Sequence, residues 1–154
     1  MKKIKDIYLG ISPGTRYIGF AVMRNNDLVD WFVKTFPGKW SSEKLRKIKD
    51  AITEVIIAFK VTRIAIKTPD ETRKAKALIS IVNSIGEIAR KNNITSKIYS
   101  IVEIKKTMGY KNKYALIKDI ATKFPELSSE FRSDRNIYSA KIFEAVTAIL
   151  MITK

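Results

Sequence analysis

Alternating or continuous apolar positions occupy residues 7–11 and 17–23, and the turn formers Ser12-Pro13-Gly14-Thr15-Arg16 lie between them at hairpin spacing. A third such run, 28–36, follows Asn25-Asn26-Asp27, whose side chains favour a tight turn. The pattern predicts three antiparallel strands at the start of the chain. Pro37-Gly38 ends the third, and Ser41-Ser42-Glu43 offers capping groups to a helix whose Leu45, Ile48, Ile52, Val55, Ile56 and Phe59 share one face. Residues 62–66 read as a buried strand. A helical stripe of Leu78, Ile81, Val82, Ile85 and Ile88 runs through 70–91 and is closed by Asn92-Asn93.

Residues 97–102 form the fifth predicted strand, followed by a short helical piece through Lys106 and a break at Gly109. Tyr114, Ile117, Ile120 and Phe124 align on a helix over 112–124 that Pro125 stops. The stretch 126–136 reads as a polar excursion, and a last helix spans 138–151. Three antiparallel strands followed by strands alternating with helices predict an α/β fold, a mixed five-stranded sheet with helices on both faces. With 154 residues and neither an internal repeat nor a linker, one domain over 1–154 is expected.

Histidine and cysteine are both absent, which rules out thiol nucleophiles, disulfides, Cys/His zinc sites, serine triads and histidine acid–base catalysis. Any site has to be built from carboxylates, lysines, hydroxyls and backbone groups. Thirty Lys+Arg face fifteen Asp+Glu, a formal net charge of +15. Such a surface attracts polyanions, nucleic acid first, with an anionic membrane surface or a merely charged exterior as the alternatives. The uncharged stretch 145–153 is far shorter than the ~20 apolar residues that a bilayer span needs. The basic start carries no cleavage signature. A cytoplasmic location without a membrane partner is therefore expected.

The segment Leu9-Gly10-Ile11-Ser12-Pro13-Gly14-Thr15-Arg16-Tyr17-Ile18-Gly19-Phe20 resembles the first hairpin of the RuvC family of Holliday-junction resolvases, which belong to the RNase H-like superfamily. In that family the strand ends in Gly-Ile-Asp-Pro-Gly-Thr/Ser-Arg. Gly14 is expected to permit the tight turn, and Gly19 the close approach of a backbone or a phosphate. Ile64-Ala65-Ile66-Lys67 resembles the family's fourth strand, and Val102-Glu103-Ile104-Lys105-Lys106-Thr107-Met108-Gly109 its Val-Lys-Lys segment with a following Gly. Phe143-Glu144-Ala145-Val146-Thr147-Ala148-Ile149-Leu150 resembles the closing helix. The resemblance implies an RNase H-like fold.

It also implies a nuclease centre with two divalent cations held by four carboxylates, one on the first strand, one on the fourth and two on the last helix. Here those positions read Ser12, Lys67, Lys141 and Glu144, so one acid remains. An ammonium about 4 Å from a divalent ion repels it by ~8 kcal/mol at an effective dielectric near 20, twice the unit-pair value. Neither a metal nor a catalytic residue is expected here; Lys67 is expected to pair with Glu144 and stabilise the floor of the old site without a cofactor. A register slip of one residue would instead turn Lys67 to solvent. Asp70 and Glu71 read as charges at a helix N-terminus, Asp134 precedes the last helix, and Asp6 and Asp27 sit at strand ends, so none offers a paired arrangement.

Phosphate contacts come from Lys and Arg and survive the loss of metal ligands. By the resemblance, Arg16, Lys67, Arg73, Lys74, Lys105, Lys106, Lys111 and Lys113 surround one groove and are expected to bind nucleic acid. Tyr110 would stack on an unpaired base or lie along a strand, whereas Trp31, Phe32 and Phe36 are expected in the core or an interface. The expected function is binding of branched or structured DNA by a catalytically degenerate resolvase relative, as a homodimer matching the junction's symmetry. Two alternatives stand beside it: an active Mg²⁺-dependent junction endonuclease with a relocated site, and a non-catalytic scaffold or assembly subunit.

Overall fold

A computed structural model of the chain describes residues 5–69, 75–132 and 137–153. Strands β1 (Ile7–Ser12), β2 (Tyr17–Arg24) and β3 (Asp27–Thr35) form an antiparallel meander, and β4 (Arg63–Thr68) and β5 (Thr95–Ser100) join it in parallel. The spatial order is β3-β2-β1-β4-β5. Helix α1 (Ser42–Phe59) links β3 to β4, and α2 (Lys76–Lys91) precedes β5. Helices α3 (Ile101–Met108), α4 (Lys113–Lys123), α5 (Ser128–Arg132) and α6 (Ile137–Thr153) follow. This is the RNase H-like arrangement that the resemblance implied.

The period of two divides the sheet into two cores. Leu9, Ile11, Ile18, Phe20, Ile64 and Ile66 point to one face and pack with Ile48 and Ile52 of α1 and Ile81 and Ile85 of α2. Ala21 and Met23 point to the other, against Phe143, Val146 and Ile149 of α6 and Leu116 and Ile120 of α4. Trp31 packs against this second core, while Phe32 and Phe36 pack against the first, where Phe32 stacks on Phe20 at 5.0 Å.

Helix α6 lies directly on the backbone of β1 and β2. A Cβ at Gly10 would stand 2.0 Å from the Ala145 carbonyl oxygen, and one at Gly19 2.4 Å from that of Lys141. The approach that Gly19 permits is thus that of a neighbouring backbone. Gly14 departs from expectation: its φ is not positive, and a Cβ there would meet the Tyr17 carbonyl at 2.6 Å and Lys141 Nζ at 2.9 Å. Space, rather than a left-handed turn, requires this glycine. These contacts fix which turn of α6 lies over the ends of β1 and β4.

Two segments and one residue depart from the sequence pattern, and the start of one predicted helix lies partly outside the described residues. Helix α2 is described only from Lys76, since residues 70–74 lie outside the described part. Ile101 and Val102 open α3 rather than extending β5, because Ser100 caps that helix: its side chain accepts from Glu103 N and its own N–H donates to Glu103. The polar stretch after Phe124 contains a 3₁₀ turn, Pro125–Leu127, and α5, and Leu127 within it is fully buried. On α4, Tyr114 is 58% exposed and Leu116 takes its place in the core. Among the described residues no helix is long and apolar enough to cross a membrane.

Candidate functional site

Because Ile64 and Ile66 point into the α1/α2 core, alternation turns Lys67 toward α6. There its Nζ stands 2.9 Å from Glu144 Oε2, with side-chain exposures of 9% and 3%. Ser12, at the end of β1, is fully buried and donates from Oγ to Glu144 Oε1 at 3.1 Å. Lys113, in the first turn of α4, reaches the same Oε2 at 3.4 Å, although half its side chain is exposed. Lys141, one turn before Glu144 on α6, donates from Nζ to the Pro13 carbonyl at 3.0 Å. Residues 12, 67, 141 and 144 thus gather at one end of the sheet, around a single carboxylate.

The electrostatics follow from that geometry. Burial pushes the Glu144 carboxyl up, but Lys67, then Lys113 and Lys141, pull it the other way and leave it below its ordinary value of 4.5. Burial of the Lys141 ammonium, aided by repulsion from Lys67 and Lys113, outweighs Glu144 and lowers it to about 8. A base whose folded value lies below its unfolded value of 10.5 binds fewer protons folded than unfolded between those values, so stability rises with pH there. Denaturant titrations between pH 7.5 and 9.5 should show wild type gaining stability relative to Lys141→Met, by up to ~1.4 kcal/mol per pH unit. Parallel pH curves would show that Lys141 does not titrate in this range.

A cleft of about 300 Å³ opens on this cluster, lined by Lys67, Pro69, Ile101, Val102, Lys105, Lys113 and Glu144. Of the residues expected to bind nucleic acid, Lys67, Lys105 and Lys113 share it. Lys106 and Lys111 are exposed but do not line it. Arg16 is exposed on the first hairpin, its guanidinium 5.6 Å from the centre of the Tyr17 ring. Arg73 and Lys74, like Asp70, Glu71 and Asp134, lie outside the described residues. The Tyr110 hydroxyl donates to Asp119, and its ring packs partly buried against the second core. Sequence reasoning missed the bond from Lys113 to Glu144 and the apolar wall of Pro69, Ile101 and Val102. The Ser100-x-x-Glu103 spacing was the available signal that Ile101 and Val102 sit on a helix.

These donors do not suit the divalent cations that the fold family implies. The one carboxylate already accepts from Ser12 and Lys67, and ammoniums occupy its remaining approaches. A hard cation needs several oxygen ligands and no neighbouring cation. Among the described residues no group of three or more acidic side chains is placed to hold a metal.

A mixed five-stranded sheet in this order, flanked by helices, is the RNase H-like fold. Within that class the chain belongs to the RuvC family, whose model, described as crossover junction endodeoxyribonuclease RuvC, matches residues 8–127. A crossover junction endodeoxyribonuclease RuvC of Tolumonas auensis is 34% identical over 94 residues, 51% of this chain and 54% of that relative. The match therefore spans about half the length of the curated relative. A Thermus thermophilus RuvC in complex with a Holliday junction substrate superposes with TM-score 0.72 at 13% identity, covering 94% of this chain and 90% of that one. A second T. thermophilus RuvC structure gives 0.69 at 14% identity, covering 96% and 97%. At these identities the two structures establish the fold.

Proposed function

We propose that this RuvC-family chain is a single cytoplasmic domain over residues 1–154 that binds branched DNA as a homodimer and does not cut it. The observation that carries this reading is the buried Lys67–Glu144 pair, 2.9 Å long, at the place the family reserves for metal. The pair neutralises the remaining acid from within, so the floor of the cleft needs no cation. Lys105 and Lys113, together with Arg16, Lys106, Lys111, Arg73 and Lys74, are the phosphate contacts. Such contacts read shape and backbone rather than base sequence, which suits a branch point.

A labelled four-way junction tests the reading. In Mg²⁺ or Mn²⁺ the protein should retain the junction about tenfold more tightly than linear duplex, on the scale of a 1.4 kcal/mol preference, and leave it intact. Cleavage that disappears in Glu144→Ala would establish the endonuclease alternative instead. Failure to bind junction, duplex or RNA at moderate salt would make the chain a scaffold.

A further inference from the structure

A groove of about 390 Å³ lies away from the Glu144 cluster, between the end of β3 and the first turns of α1. Phe36 and Pro37 line it where the chain leaves β3, Glu43, Lys44 and Lys47 line it from the helix, and Lys39 lines it from the loop between. Phe36 and Pro37 give the groove apolar surface, and the neighbouring Trp40 keeps 38% of its own surface exposed. Lys39 and Lys47 are exposed, whereas Lys44 is only 8% exposed and donates from Nζ to the Gly38 carbonyl at 2.8 Å. An ammonium that is nearly buried and held by a neutral oxygen keeps its charge unbalanced, which is costly unless an anion approaches it. Glu43, the one acid that lines the groove, meets Lys47 instead, at 4.0 Å.

We propose that this groove docks an acidic peptide segment of a partner protein, one that carries an apolar side chain beside its carboxylates. The carboxylates meet Lys39, Lys44 and Lys47, and the apolar side chain lies on Phe36 and Pro37. Charge complementarity calls for an anion here, and the fold favours a peptide over nucleic acid. Phe36 packs against the α1/α2 core, so the groove belongs to that face of the sheet, whereas the cleft at Glu144 belongs to the α6 face. Strands β2 and β1 also separate β3 from β4. DNA held at the cleft therefore leaves the groove open. A phosphate backbone, moreover, has no apolar group to cover Phe36 and Pro37, and a duplex meets protruding cations rather than one set as low as Lys44. The proposal goes beyond the branched-DNA reading and does not depend on it.

The fluorescein-labelled hexapeptide Asp-Glu-Asp-Glu-Leu-Phe, followed by anisotropy and by amide NMR of the whole chain, tests the groove. It should bind with a Kd on the order of 10 μM and shift the amide resonances of Lys39, Ser41 and Lys44, while those of Lys105 and Lys113 stay in place. Replacing Leu and Phe of the peptide by Ser should weaken binding about tenfold. The double variant Lys39→Glu with Lys47→Glu, at two exposed positions, should weaken it about as much. Lys91→Glu with Lys97→Glu, an equal change of net charge at exposed positions on α2 and β5, should bind as wild type does. Absence of binding overturns the proposal. Equal weakening in the two double variants, or indifference to the Leu and Phe replacement, overturns it too, because net charge alone then explains the binding. Shifts centred on Lys105 and Lys113 overturn it by making the peptide an imitation of DNA at the cleft. A thymidine oligonucleotide that moves the Lys39, Ser41 and Lys44 resonances at lower concentration than the peptide assigns the groove to nucleic acid and overturns it as well.

Discussion

Replacing Glu144 with glutamine should destabilise the protein by about 3–5 kcal/mol, the range for removing one partner of a buried ion pair. The loss should appear as a lower denaturant midpoint at unchanged m-value. Glutamine keeps the volume and accepts the hydrogen bond from Ser12, so packing contributes little. What remains is Lys67, 9% exposed, near Lys113 and Lys141, with Glu144 the one acid that the described residues bring to Lys141 now removed. Acid titration carries the same signature. A carboxyl held below its ordinary value stabilises the fold above that value and loses the contribution as pH falls through the folded one. Wild type should therefore lose stability on acidification relative to Glu144→Gln, and the two curves should converge. Adding Lys67→Met to Glu144→Gln should recover part of the loss, and a double-mutant cycle measures the coupling. A single-variant effect below about 1 kcal/mol would place the pair among screened surface bridges, worth little to the fold.

The strand from Arg63 to Thr68 shows why this pair was legible in the sequence. The resemblance put Lys67 and Glu144 at two of the family's carboxylate positions, and the strand agrees with it: Ile64 and Ile66 share the face toward α1 and α2, which leaves position 67 to the face that α6 covers. Gly19 was legible as a point of close approach, and the structure adds Gly10, where a Cβ likewise has no room beside α6. The reach from Lys113 to Glu144 was not legible. Those residues are far apart in sequence, and no local periodicity encodes the distance between α4 and α6. Residues 97–102 misled because Ile101 and Val102 are good strand formers. The local Ser100–Glu103 capping box overrides that propensity and starts a helix that places both on the wall of the cleft. Tyr114 misled through the opposite error, in which an aromatic was counted toward a helical stripe although it stands exposed one turn from the core. Conformational freedom is the reason the sequence offers for Gly14, whereas the structure gives the Tyr17 backbone carbonyl, 2.6 Å from where a Cβ would stand.

The double variant Ser12→Asp with Lys67→Glu should give this cleft a divalent metal site that wild type lacks. Ser12 Oγ and Lys67 Nζ stand 3.1 and 2.9 Å from the two oxygens of Glu144, so carboxylates at 12 and 67 would converge on the same point from β1 and β4. In wild type an ammonium there opposes a divalent ion by about 8 kcal/mol at ~4 Å and an effective dielectric near 20; reversing the charge turns that opposition into attraction of similar size. Glu144, released from Lys67, becomes the third ligand, and waters complete the shell that Mg²⁺ or Mn²⁺ prefers. Without metal, three carboxylates crowd together and the variant should unfold at lower temperature than wild type. Titrated with Mn²⁺ it should recover in Tm along a saturable curve, while wild type stays flat. Adding Lys141→Asp removes one of the two remaining ammoniums and should tighten the site further. If Mn²⁺ leaves the double variant as indifferent as wild type, then Lys67 is not what keeps the metal out, and the ion pair is a consequence of some other loss.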